Sequence, residues 1–148
     1  MPDMTDFEAV RALYEAYLGE TERLEREKKP GDGLLGFGSG PKNDKCHGEF
    51  ADAVFAALDK AAESGVPAED AAVLLRYIYR APLENAENRL AYWMLIAVHG
   101  HTEGLVERLS PSGAAGLLAM YESAYPRRER LPVQKRAVSA LKARAGGG

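Results

Sequence analysis

The sequence predicts an all-α fold, and three observations predict it. Alanine, leucine, glutamate, lysine and arginine dominate, and there are only two isoleucines, Ile78 and Ile96. No stretch alternates apolar and polar positions with strand-type residues. Apolar residues recur instead at three- and four-residue spacing, between cap and stop signals. The expected architecture is a compact orthogonal bundle of six to seven helices in one domain, 1–145, with a frayed Gly tail at 146–148. Its centre is expected at an unusually apolar, buried helix covering about 86–99.

The first helix opens with a capping box, in which Thr5 caps and Glu8 reaches back. Phe7, Val10, Tyr14, Tyr17, Leu18 and Leu24 follow at helical spacing, and Pro30-Gly31 is the expected stop. The segment 31–44, GDGLLGFGSGPKND, has five glycines and a proline and reads as a loop. Its Leu34, Leu35 and Phe37 are expected to pack back onto the body.

Asn43 or Asp44 is the expected cap of the second helix. Phe50, Val54, Ala57, Leu58 and Ala61 form its buried stripe, with Gly65 just past its end. Pro67 fits the first position of the third helix. Leu74, Leu75 and Ile78 are its core candidates, and Ala81-Pro82 is its expected end.

Asn85 is the expected cap of the central helix. Leu90, Trp93, Met94, Ala97 and Val98 are read as one core stripe, and Tyr92, Leu95 and Ile96 as cover for much of the rest. Gly100 ends it. Thr102 starts a short helix through Leu109. Ser110 caps the next helix with Pro111 at its first position, and Pro132 begins the last.

Charge is unevenly spread. The net charge is −3, yet the seven cations of residues 126–148 stand against Glu129 alone, a local +6 that leaves −9 on the first 125 residues. Such a basic tail either docks on its own acidic body or binds an external anion. Arg127, Arg128, Arg130, Lys135 and Arg136 are the residues that would contact phosphates of a nucleic acid. That reading is weak, because Tyr125 is the only aromatic nearby and the whole chain is acidic.

No apolar run reaches the length of a membrane span, and the acidic start MPDMTDFEAV lacks the order of a signal peptide. One cysteine excludes an internal disulfide and suits a reducing compartment. A cytoplasmic location is expected, with no membrane partner.

Four groups of residues are candidates for chemistry. Gly36, Gly38 and Gly40 precede a helix start with Lys42 alongside, where free N–H groups attract anions. The spacing matches neither phosphate-loop motif. Cys46, His47, His99 and His101 are zinc-type ligands, but adjacent helical residues diverge, so neither pair chelates locally. His99, near a helix end, is expected to favour its protonated form. Cys46 near a helix start is a possible nucleophile only if a base reaches it through the fold. Tyr92 and Trp93 offer aromatic surface, which at helical spacing reads as core.

The blocks GLLGFGSGPKNDKCHGEF, ENRLAYWMLIAVHGH and YPRRERLPVQKRAV resemble, in their order, a family of small uncharacterised helical proteins from anaerobic Gram-positive bacteria. The resemblance covers about 33–143 and implies no activity and no residue roles. It implies that these blocks meet in space.

The leading functional expectation is a non-catalytic protein-interaction or regulatory module without a cofactor. Its partner, or a second copy, is expected on tyrosine-bearing faces around Tyr77, Tyr79, Tyr121 and Tyr125. The alternative is a small-molecule or anion site, or a small enzyme. That site would lie between the Gly36–Lys42 loop, the start of the second helix and the end of the central one, with Gly38, Gly40, Lys42, His47, Tyr92 and His99 as contacts.

Overall fold

The computed structural model describes residues 5–26 and 41–146. Seven α-helices account for most of them: α1 (Asp6–Arg26), α2 (Pro41–Glu63), α3 (Ala68–Glu84), α4 (Arg89–Val98), α5 (Glu103–Val106), α6 (Pro111–Ala124) and α7 (Pro132–Gly146). Two 3-10 turns, His99–His101 and Arg127–Glu129, complete the chain order, and the described residues include no strand. The fold is all-α and compact, with the broadest helix contacts between α1 and α2 and between α6 and α7.

Local signals set most helix ends. Thr5 Oγ1 accepts from the Glu8 N–H at 3.1 Å, and Glu8 accepts from the Thr5 N–H at 3.1 Å, a complete capping box. Ser110 accepts from the Gly113 N–H at 3.0 Å, with Pro111 opening α6. After α2, Gly65 adopts φ +75°, the Gly65 N–H reaches the Ala62 carbonyl and the Val66 N–H reaches that of Ala61. That pair of bonds is a Schellman ending, and its left-handed residue favours glycine.

Other ends differ from expectation. Pro30-Gly31 and the apolar loop residues 34–37 lie outside the described residues. Helix α2 starts at Pro41 rather than after Asn43 or Asp44, using proline where a missing N–H loses nothing. Pro67 sits one position before α3, not in it. Helix α3 also runs through Pro82 to Glu84 instead of ending at Ala81. Asn85 therefore closes α3, its side-chain amide donating to the Ala81 carbonyl at 2.9 Å. The cap of α4 is Asn88, whose Oδ1 accepts from the Ala91 N–H at 3.1 Å. The Asn88 amide in turn donates to Thr21 Oγ1 at 3.0 Å and ties the start of α4 to α1.

The core is built from every helix. Val10 and Tyr14 of α1, Phe50, Val54 and Leu58 of α2, and Leu74, Leu75 and Ile78 of α3 are all buried. From α4, Met94, Leu95, Ile96 and Val98 join them. Leu105, Tyr121 and Leu141 add α5, α6 and α7. Tyr14 packs edge-on against Phe50 and tilted against Tyr77, joining α1, α2 and α3 through ring contacts.

The central helix is shorter than expected and not buried all round. Trp93 is 47% exposed, and Arg89 one turn earlier is exposed as well. The assignment of Trp93 to the core is thus corrected: α4 turns one narrow face to water, and the only tryptophan lies on it. At the far end of α4, a Cβ on Gly100 would lie 2.9 Å from Val133 Cγ1, so the start of α7 rests directly on the glycine backbone. With the contact of Cys46 on Met94, this joins parts of all three sequence blocks.

Candidate functional site

The most concentrated polar chemistry lies inside the bundle, around His99. Its imidazole is buried and surrounded by three tyrosine rings, those of Tyr79, Tyr121 and Tyr125. Nε2 lies 3.1 Å from the Ile78 carbonyl, and Nδ1 lies 2.9 Å from the Tyr121 hydroxyl. A carbonyl only accepts, so Nε2 carries the proton and Nδ1 accepts from Tyr121. Both ring nitrogens of the neutral tautomer are then satisfied.

This arrangement follows from Pro82. The donor that would serve the Ile78 carbonyl inside a regular helix is the N–H four residues on, and Pro82 has none. His99 supplies it from another part of the chain. The next carbonyl, that of Tyr79, accepts the Tyr125 hydroxyl at 2.5 Å. The Tyr79 hydroxyl is shared with Thr102 Oγ1 at 2.8 Å, and Thr102 also donates to the His99 carbonyl. The proline-bearing stretch of α3 is therefore served by side chains of the 3-10 turn and of the end of α6, and the helix continues.

Burial sets the protonation states. Desolvation lowers the His99 pKa to about 4, against the opposing effect of the Ile78 hydrogen bond. The expectation of a protonated His99 is corrected, because removal from water outweighs the helix-end dipole. Desolvation likewise raises the hydroxyls of Tyr79, Tyr121 and Tyr125 above the ordinary tyrosine value. The expected interaction faces on Tyr79, Tyr121 and Tyr125 do not exist, since all three side chains are buried; Tyr77 alone is half-exposed.

The other candidates are placed apart. Gly38 and Gly40 lie outside the described residues, and Lys42 is described only through its backbone in the first turn of α2. His47 is half-buried on α2. Tyr92 is half-buried and meets Trp93 edge-on at 5.2 Å between ring centres. His101 stacks on Phe55 at 4.2 Å, and its Nε2 lies 2.9 Å from Asp59 Oδ1. Among the described residues, no three His, Cys, Asp or Glu side chains gather to hold a metal ion.

Cys46 is buried with Sγ 4.0 Å from Met94 Sδ. Burial, followed by the charges of Glu20 and Glu49, raises its pKa, so the thiol holds its proton and is a poor nucleophile. It edges a cleft of about 470 Å³ between α1 and α2, where Glu20, Arg23 and Glu49 supply mixed charge. Neither His99 nor His101 lines that cleft.

In the basic region, one of the expected anion ligands, Arg130, is held by the chain itself, and so is Arg144, which was not among them. Arg130 donates through Nε to the Tyr125 carbonyl at 2.9 Å and approaches Glu122 at 4.0 Å. Arg144 donates to the Leu109 carbonyl at 2.6 Å. Arg127, Arg128, Lys135 and Arg136 are exposed. No helix of the described residues is long and apolar enough to cross a membrane.

Outside the bundle centre, one apolar groove runs over α1 and α3. Its first part, about 380 Å³, is lined by Phe7, Val66, Pro67 and Val73 with Asp6 and Asp70 at the edge. Its second part, about 200 Å³, continues from the same Phe7 and Val73 past Tyr77 to Arg76, Arg80 and Glu84. Sequence reasoning did not single out this groove. The signal available was Val73, an apolar residue three positions from both Asp70 and Arg76, on the charged side of α3.

Compared with known protein families, curated proteins and solved structures, the chain matches none of them.

Proposed function

We propose that the protein is a non-catalytic helical interaction module that binds a protein partner through the outer face of α3 and the start of α1. One observation carries this reading. Among the described residues three large hydrophobic side chains are left in water, and two of them, Val73 at 56% and Leu83 at 43%, stand on α3, with Phe7 beside the first. The apolar cluster of Phe7, Val73 and Tyr77, bordered by charges, has the composition of a protein contact site.

The commitment of the central groups to structure supports the same reading. His99, Tyr121, Tyr125 and Thr102 spend their hydrogen bonds on one another and on the carbonyls of α3. A photoreactive phenylalanine analogue at position 73 tests the proposal in cells. The expected result is an adduct identifiable by mass spectrometry and lost with Arg80→Glu in the same chain. No more adduct at position 73 than at exposed Lys142 overturns it.

A further inference from the structure

We infer that the partner contacts this face through a basic, apolar peptide segment. One large apolar side chain of that segment sits in the first part of the groove, and a lysine or arginine beside it faces Asp6 and Asp70. The inference rests on the interaction-module reading and goes further by naming the chemistry of the partner.

The shape of the first part gives the apolar half of this description. Phe7 of α1 and Val73 of α3 form its sides, Val66 and Pro67 its end, and the fully buried Leu74 lies beneath. A recess of about 380 Å³ with apolar walls suits an anchoring side chain. Side chains that fill such recesses supply most of the energy of an interface.

The sign of the rim gives the other half. The starts of α1 and α3 come together here, and each contributes one carboxylate, Asp6 and Asp70. Acidic residues are favoured in the first turn of any helix. Yet Glu8 and Glu69, from the same two turns, are not on this lining, and among the described residues no lysine or arginine is on it either. Asp6 and Asp70 also make no ion pair among the described residues. An apolar recess edged by two unpaired carboxylates complements an apolar group that carries positive charge. An acidic segment meets like charge there. The second part of the groove names no charge, because Arg76 and Arg80 share it with Glu84. The new ion pairs lie at an exposed rim, so each adds little and salt weakens it, while the apolar anchor supplies most of the affinity.

Selection of a phage-displayed random peptide library on the full chain tests this, followed by fluorescence anisotropy with a synthetic copy of the most enriched peptide. Enriched sequences should share a large apolar residue with lysine or arginine beside it. Val73→Arg should weaken binding by about tenfold or more. Asp6→Asn and Asp70→Asn should each weaken it by about two- to fivefold. Glu69→Gln removes the same charge from the same turn but away from the recess, and should leave binding unchanged. Circular dichroism on each variant separates lost binding from misfolding. Enrichment of acidic or uncharged sequences, or of none, overturns the inference. So do peptides indifferent to Val73→Arg, or equally sensitive to Glu69→Gln and Asp70→Asn. The adduct at position 73 reads whether a protein occupies the face, and the selection reads which charge it brings. An adduct on a partner segment without lysine or arginine therefore overturns this inference and leaves the interaction reading standing.

Discussion

Pro82 and His99 are linked through one carbonyl. The Ile78 carbonyl has the proline ring four positions on, where a donor would otherwise be, and receives its hydrogen bond from His99 Nε2 at 3.1 Å. The helix is thereby allowed to contain a proline, and the histidine is fixed in one tautomer. This coupling accounts for the burial of the imidazole, and it has consequences for stability.

The first concerns pH. The folded-state pKa of His99, about 4, lies below the ordinary 6.5. The unfolded chain therefore takes up the proton first as pH falls. The stabilisation is complete above about pH 6.5, declines as pH drops, and is lost by about pH 4, an effect of about 3 kcal/mol at most. Urea midpoints measured between pH 7 and 4 should show this decline. His99→Gln, which keeps one donor and one acceptor, should show a shallower one. Equal slopes for the two proteins, or an imidazole that titrates near 6.5 by NMR, contradict the neutral buried assignment.

A double-mutant cycle isolates the proline link. His99→Leu leaves the Ile78 carbonyl buried without its donor, at a cost of about 1–3 kcal/mol. With Pro82→Ala the helix regains an N–H aimed at that carbonyl, and the same histidine change should cost about 1 kcal/mol less. Denaturant unfolding of the four proteins measures the coupling. Identical costs in both backgrounds mean that His99 does not stand in for the missing N–H.

This pair also marks where the sequence was legible. The caps at Thr5 and Ser110 and the ending at Gly65 could be read, because each rests on residues within a turn of one another. The passage of α3 through Pro82 could not be read, because its replacement donors, His99 and Tyr125, come from other elements. The same long-range bonds took Tyr79, Tyr121 and Tyr125 out of the expected interaction faces. The apolar stripe of α2 was visible because that helix has one polar side. Helix α4 has almost none, so its pattern alone did not indicate which face the other helices leave open. The α3 groove was hidden for a related reason: Val73 acquires meaning only when Phe7, distant in sequence, packs beside it.

Tyr14 is the counterpart of His99. Its ring is fully buried among Phe50 and Tyr77, and among the described residues its hydroxyl has no hydrogen-bond partner. Desolvation, followed by Tyr77 and Tyr125, keeps that hydroxyl protonated at all ordinary pH. Removing an unsatisfied buried hydroxyl relieves its desolvation penalty, so Tyr14→Phe should be neutral or stabilising by up to about 1 kcal/mol. Tyr121→Phe removes the donor to His99 Nδ1 and should destabilise by about 1–3 kcal/mol. Thermal and denaturant melts of the two variants should move in opposite directions or differ clearly in size. A large loss from Tyr14→Phe means that its hydroxyl has a partner in solution.

Trp93 gives the most direct check on how α4 is oriented. Burial of its indole on the core stripe makes Trp93→Ala a large-to-small core change, with a loss of about 3–5 kcal/mol. At 47% exposure, with its edge-on contact to Tyr92 as the one ring partner among the described residues, it has far less surface to lose. The expected cost is below about 1.5 kcal/mol, whereas Phe50→Ala, from the closed centre of α2, should fall in the larger range. Because Trp93 is the only tryptophan, its fluorescence reports this one position. Iodide should quench the native emission efficiently, and unfolding should change the accessibility of the indole only modestly. A native indole shielded from iodide, together with a core-sized loss on truncation, places the exposed stripe of α4 on another side of the helix. Efficient quenching with a small loss establishes that the bundle covers Met94, Leu95 and Ile96 and leaves the Arg89–Trp93 edge in water.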